Sequence, residues 1–203
     1  MKSLFIKYGN WLKGGYAMAR RLLLLVVPML FLCSCGKREH AGPPPAGGEK
    51  MSIEVTSTAF EDGGMIPPRY TADGQDISPP LRWDAVPEGT KSIALISDDP
   101  DAPMGTWVHW VLFNLPADAA ELAENVPPKS TLPNGAAQGT NDFGKIGYGG
   151  PAPPSGTHRY YFKIYALDAQ IDLPPGAKKS QLLKAMEGHI LAQGQLMGRY
   201  KRR

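Results

Sequence analysis

Two short stretches hold most of the side chains in this chain that could do chemistry. The first, Asp98 to Trp110 (DDPDAPMGTWVHW), gathers Asp98, Asp99 and Asp101, two prolines, two indoles and His109. Clustered oxygens suit a hard cation, so a metal site is one reading. A carboxylate near an imidazole could do acid/base work, which is a second. The plainest is a rigid turn whose aspartates accept their own backbone N–H groups. The second stretch, Asn141 to Tyr160 (NDFGKIGYGGPAPPSGTHRY), combines glycines that allow close backbone approach with prolines that stiffen a wall. It ends on His158-Arg159-Tyr160, where His158 and Tyr160, two residues apart, share one face of a strand.

The two stretches limit each other's chemistry. No further acid or histidine cluster with ligand spacing accompanies the aspartates, so no metal is expected. No nucleophile motif and no phosphate-cradling P-loop is present, so neither a cofactor nor an enzymatic activity is expected. A pocket that binds something without changing it is a further reading, and two imidazoles and the Tyr160 hydroxyl could each donate to an oxyanion. Asp99 would repel an anion and is expected instead to hold a histidine in one tautomer. The alternative is a hydrolase of a phosphoester or other ester, with Asp99 and His109 or His158 as its acid/base pair.

The elements that must position these groups read as strands. Ser52 to Ser57 alternates, Lys91 to Ser97 is short and apolar, Trp107 to Leu115 is apolar on both faces, and His158 to Leu167 is aromatic and β-branched. Alternation puts His109 on the face of Trp107, Val111 and Phe113. Proline and glycine clusters between such runs suggest an antiparallel sandwich. Pro116 to Thr140 shows little period and reads as a long surface connection. Leu182, Leu183, Met186, Ile190 and Leu191 fall at helical spacing behind Ser180, a candidate N-cap, so a C-terminal helix is expected.

The N-terminus is of another kind. Residues 1–34 carry Lys2, Lys7, Lys13, Arg20 and Arg21, no acid, and the apolar run Leu22 to Leu32. That pattern is a targeting segment, too short for a permanent span. It ends Leu32-Cys33-Ser34-Cys35-Gly36, similar to a bacterial lipoprotein signal with Cys35 as the lipidated residue. Met18-Ala19-Arg20-Arg21 would also make a complete signal start. Residues 35–50, rich in Pro, Gly and charge, read as a flexible tether, and residues 51–203 as one domain.

Removing five positive charges from a net +3 leaves −2, so no basic face for nucleic acid is implied. Cleavage would remove Cys33 and lipid would block Cys35, leaving no thiol for a disulfide. Gly36 is not the aspartate that retains enteric lipoproteins in the inner membrane. The expected location is therefore the cell envelope, lipid-anchored in the outer membrane and facing the periplasm.

Asp99-Pro100-Asp101-Ala102-Pro103 followed by His109, and Gly149-Gly150-Pro151 followed by His158-Arg159-Tyr160, resemble the phosphatidylethanolamine-binding protein family, also called Raf kinase inhibitor proteins. Ile66 to Trp83, Asn141 to Pro154 and Met186 to His189 resemble its bacterial branch. The resemblance implies a mainly β fold, an antiparallel β-sandwich with a pocket at one end for phosphate, acetate or a phospholipid headgroup. On this chain Asp99, His109, His158 and Tyr160 would line that pocket, Gly150 and Pro151 would form its wall, and Asp101 and Arg159 would brace the two loops. The resemblance also implies a possible homodimer and a partner such as a kinase or protease. The loop from Pro103 to His109 is shorter than in eukaryotic members, and their pocket-covering C-terminal helix is not matched in detail.

Overall fold

The structure is a computed structural model that describes residues 51–84 and 86–202. The signal segment 1–34, the tether 35–50 and Cys35 lie outside the described residues. The chain runs β1 (Met51–Ser52), β2 (Val55–Thr56), a 3-10 turn (Pro68–Tyr70), β3 (Leu81–Trp83), β4 (Ser92–Asp99), β5 (Trp107–Pro116), β6 (Glu121–Leu122), β7 (Ala137–Gln138), β8 (His158–Leu167), α1 (Lys179–Ala185) and β9 (Ile190–Tyr200). The larger sheet has the order β1-β9-β8-β4-β5-β7 and the smaller β2-β3-β6. Pairing is antiparallel except for the short parallel pair β1–β9.

β4 is buried along its whole length because both faces of the larger sheet are covered. On one face Ile93, Leu95, Trp110, Leu112, Phe162 and Ile164 pack with Val55, Leu81, Trp83 and Leu122 of the smaller sheet. On the other, Ala94, Ile96, Val111 and Phe113 pack with Leu182 and Met186. Alternation in β8 places His158, Tyr160, Phe162, Ile164 and Ala166 inward while Arg159 is exposed. Among the described residues no helix is long and apolar enough to cross a membrane.

Three local readings need correction. His109 does not share a face with Val111 and Phe113. Ser97 pairs with Trp110 but Asp98 with Val108, so His109 is an extra residue in β5 and strict alternation fails there. A second shift sets Ile93 opposite Leu115 and Leu95 opposite Leu112, near Asn114, whose φ is +59°. The stretch of β5 between the two shifts is therefore out of phase with both of its ends.

The helix is shorter than expected. It begins after Lys178, not Ser180, and the Lys178 N–H donates to Gln181 Oε1 at 2.9 Å. Only Leu182 and Met186 form its fully buried stripe. Gly188 turns the chain at φ +81°, and Ile190 and Leu191 open β9 instead. Two glycines interrupt the apolar pattern of β9 and hid it. Gly194 is required by close packing: a Cβ there would lie 1.8 Å from the Ile53 carbonyl oxygen.

Pro116 to Thr140 is more than a surface connection. It supplies β6, β7 and the buried residues Leu132, Ala136 and Gln138. The Gln138 amide is fully used: Oε1 accepts from Trp110 Nε1, and Nε2 donates to the Pro127 and Lys129 carbonyls, each at 2.8 Å. A buried amide with these partners fixes a segment that has no sequence period.

Candidate functional site

The C-terminal end of β4 and the starts of β5 and β8 meet at one end of the larger sheet, which brings the two chemistry-bearing stretches together. The three carboxylates of the first stretch do not form a cluster. Asp98 points to the α1 side, where Lys163 and Lys179 bind it at 2.8 and 2.5 Å. Asp99 accepts from His158 Nδ1 at 2.7 Å through Oδ2 and from the Asp101 N–H at 2.8 Å through Oδ1. Asp101 takes the Arg159 N–H and Nε through Oδ2, each at 2.9 Å, and Nη2 through Oδ1 at 2.7 Å. The Arg159 hydrogen bonds lower the Asp101 pKa to about 2. Asp101 and Arg159 thus join the two loops, and Asp99 holds His158. Among the described residues no group of three or more His, Cys, Asp or Glu is arranged to hold a metal.

His109 is buried, and its Nδ1 lies 2.6 Å from the Gly149 carbonyl oxygen. A carbonyl only accepts, so Nδ1 carries the hydrogen. The Gly149 N–H returns a bond to the His109 carbonyl at 2.9 Å, which locks the bulge onto the glycine-rich loop. Burial lowers the His109 pKa, against the opposing effects of Gly149 and the nearby aspartates.

Tyr160 lies beneath both imidazoles. Its ring meets His109 edge-on at 5.1 Å and stacks against His158 at 6.5 Å. Its hydroxyl is buried with no hydrogen-bond partner among the described residues. Burial first, and the charge of Asp99 second, push its pKa well above the ordinary tyrosine value. The Trp107 Nε1 is likewise buried and unpartnered.

Asp99 and His109 line a cleft of about 340 Å³, with Trp107, Phe143, Pro103 and Pro154 among its apolar walls and Met104 at its rim, 93% exposed. Two larger surface grooves, about 950 Å³ along β2 and β9 and about 560 Å³ beside Met65 and Tyr200, contain neither histidine. Gly150 and Pro151 stand behind the cleft. The Gly150 N–H donates to Asp76 Oδ1 at 2.6 Å, and the Pro151 carbonyl accepts from the Ala72 N–H at 3.1 Å. A Cβ on Gly150 would lie 2.7 Å from both Asp76 Oδ1 and the Tyr70 carbonyl oxygen, so only glycine fits between. Ala152, Pro153 and Pro154 present the wall itself.

Sequence reasoning did not single out Trp107, Phe143 and Met104 as cleft residues. Phe143 packs edge-on against Trp107 at 5.5 Å and His109 at 5.4 Å. Its position in a glycine-rich loop gave no period from which to place it. Asp76, at φ +55°, was missed because its partner Gly150 lies 74 residues away.

Two sheets around a buried central strand, with an Asp–His pair and a second histidine at one end, define a β-sandwich with a mainly apolar cleft at that end. The model of the phosphatidylethanolamine-binding protein family matches residues 56–201. The chain belongs to that family. A UPF0098 protein of Methanothermobacter thermautotrophicus is 59% identical over 150 residues, covering 74% of this chain and 99% of that protein. One from Aquifex aeolicus is 52% identical over 160 residues, covering 77% and 92%. Among solved structures, a phosphatidylethanolamine-binding protein homologue of Chlamydia trachomatis is 43% identical with a TM-score of 0.69, covering 75% of this chain and 99% of its own. E. coli YbcL, described as a member of the mammalian family, is 33% identical with a TM-score of 0.70 and the same coverage.

Proposed function

We propose that this chain is a binding module whose cleft captures the oxyanion head of a small ligand, a phosphoryl or carboxylate group, without transforming it. The observation that carries this reading is the cleft lined by Asp99 and His109, with the buried, unpartnered Trp107 N–H in its wall and the Tyr160 ring edge-on to His109. An unmade hydrogen bond at a buried donor costs about 1–3 kcal/mol, a cost that a bound acceptor would remove. Apolar walls and a few convergent polar groups are also typical of small-ligand sites.

The hydrolase reading is less well supported. His109 is bonded to a carbonyl and His158 to Asp99, and no serine, threonine or cysteine side chain is hydrogen-bonded to either ring among the described residues. Acyl or phosphoryl transfer through a serine, threonine or cysteine nucleophile activated by one of these histidines would need that contact. The lipid anchor belongs to the same proposal and rests on the sequence around Cys35. It would hold the cleft near the envelope membrane, where phosphorylated headgroups are abundant.

Native mass spectrometry on the full chain, purified without phosphate or acetate, tests the binding reading. A retained species carrying a phosphoryl or carboxylate group, lost in Tyr160→Phe, supports it. Turnover of an added phosphoester or carboxylic ester by the wild type, abolished in His109→Ala, would contradict it.

A further inference from the structure

The cleft beside Asp99 and His109 is larger and more apolar than an anionic head alone requires. Its volume of about 340 Å³ falls within the range of about 300–1,000 Å³ usual for whole small-molecule ligands. A phosphoryl or carboxylate head would leave most of that space to water. Asp99 and His109 are the only ionisable side chains that line it among the described residues, and Trp107, Phe143, Met104, Pro103, Pro153 and Pro154 supply its walls. The Phe143 ring meets both Trp107 and His109 edge-on, at 5.5 and 5.4 Å, so the apolar wall begins directly beside the buried histidine.

These walls are open to water and yet fixed. Of the four large apolar side chains exposed among the described residues, Met65, Met104, Phe143 and Leu183, two line this cleft. Phe143 is 40% exposed, but the loop that carries it is fastened. The buried Asn141 accepts from the Phe143 and Lys145 N–H groups through Oδ1, at 3.1 and 3.0 Å, and donates to the Gly147 carbonyl through Nδ2 at 3.0 Å. Asp142 Oδ2 accepts from the Val108 N–H at 2.7 Å, and the Asp142 N–H donates to the Val108 carbonyl at 2.9 Å. The Phe143 ring rests on Gly149, where a Cβ would lie 2.7 Å from it. Pro103, Pro153 and Pro154 have fixed φ. A rigid apolar surface loses little in ordering when a ligand covers it, and each apolar atom removed from water adds affinity. A bare anion gains none of this.

We propose, resting on the oxyanion reading above, that the ligand is a compact amphiphile: a phosphoryl or carboxylate head joined to an apolar body about the size of a phenyl ring, packed against Met104, Trp107 and Phe143. The head fits beside His109, and the body covers the walls that are otherwise wet. A ring suits these partners because indole, phenyl and thioether groups each make contacts with an aromatic ring that are favourable beyond the area they bury.

The test is calorimetric titration of the full chain in neutral detergent, referenced to detergent alone, with two pairs of anions: methylphosphonate and phenylphosphonate, and acetate and phenylacetate. Each pair keeps the head and changes the body, and a phosphonate has no ester bond to hydrolyse. The phenyl member of each pair should bind about tenfold more tightly or better. Met104→Gln, at a side chain 93% exposed, should weaken the phenyl members several-fold more than the methyl ones, and Phe143→Ser should do the same. Met104→Gln keeps the test decisive should Phe143→Ser fail to fold. Equal affinity within both pairs, or a ratio that Met104→Gln leaves unchanged, would overturn the amphiphile class while leaving an oxyanion site in place. Benzyl alcohol binding as tightly as phenylphosphonate, or failure of all four anions to bind, would overturn the oxyanion reading and this inference together.

Discussion

Asp99 Oδ2 lies 2.7 Å from His158 Nδ1, and this contact extends the pairing of β4 with β8 by a side-chain link between residues 59 apart in the chain. Both groups are buried, so neither can be left alone at no cost. Asp99→Ala should destabilise the protein by about 1–3 kcal/mol, the cost of an orphaned buried donor. Asp99→Asn, which keeps an acceptor for the Asp101 N–H, should cost less. Urea denaturation of the three proteins checks this; equal midpoints would show that the pair does not hold the loops.

His109 gives stability a pH dependence. Burial depresses its pKa below 6.5, so the unfolded chain takes up a proton first as the pH falls. The neutral-His109 contribution is complete above about pH 6.5 and is lost as the pH drops toward the depressed folded value. His109→Gln should flatten this part of the stability curve between about pH 7.5 and 5. Urea midpoints across that range would contradict the assignment if the variant kept the wild-type slope.

Trp110 is fully buried and its Nε1–H donates to Gln138, whereas Trp107 is only half-buried and lines the cleft. Trp110→Ala should cost about 3 to 5 kcal/mol, as large core truncations do. Trp107→Ala should cost much less stability but weaken ligand binding. Thermal unfolding with parallel binding titrations separates the two. Similar stability losses at both positions would show that Trp107 belongs to the core as much as Trp110 does.

These residues also show how far the sequence alone could reach. The strands β4, β5 and β8 were legible because their apolar and aromatic runs are bounded by proline and glycine clusters, and they carry Asp99, His109, His158 and Tyr160. Their meeting at one end was legible only through family resemblance, because antiparallel register depends on contacts across many residues. The bulge at His109 was invisible: one extra residue leaves the composition unchanged but reverses the side chains that follow, up to the second shift near Asn114. β9 was hidden by glycines that its tight packing against Ile53 and Ile66 requires. The separate fates of Asp98, Asp99 and Asp101 depend on Lys163, Lys179, His158 and Arg159, all distant in sequence. Counting carboxylates in a motif could not have assigned them.

The membrane anchor depends on Cys35. Cys35→Ala should move the protein out of the membrane fraction or leave the signal uncleaved, and should abolish labelling by a fatty-acid probe. Unchanged labelling of the variant would show that Cys35 is not the lipidated residue.

The central claim, that one metal-free cleft binds an oxyanion with groups from both stretches, is tested most directly by a double-mutant cycle on binding. Calorimetric titration with phosphoethanolamine would compare the wild type, His109→Ala, His158→Ala and the double variant, each confirmed to be folded. Each single substitution should weaken binding by about tenfold or more, and the double substitution should cost less than the sum of the two, because both rings serve one bound head. Affinity unaffected by either substitution, or binding that appears only when a divalent cation is added, would contradict the account.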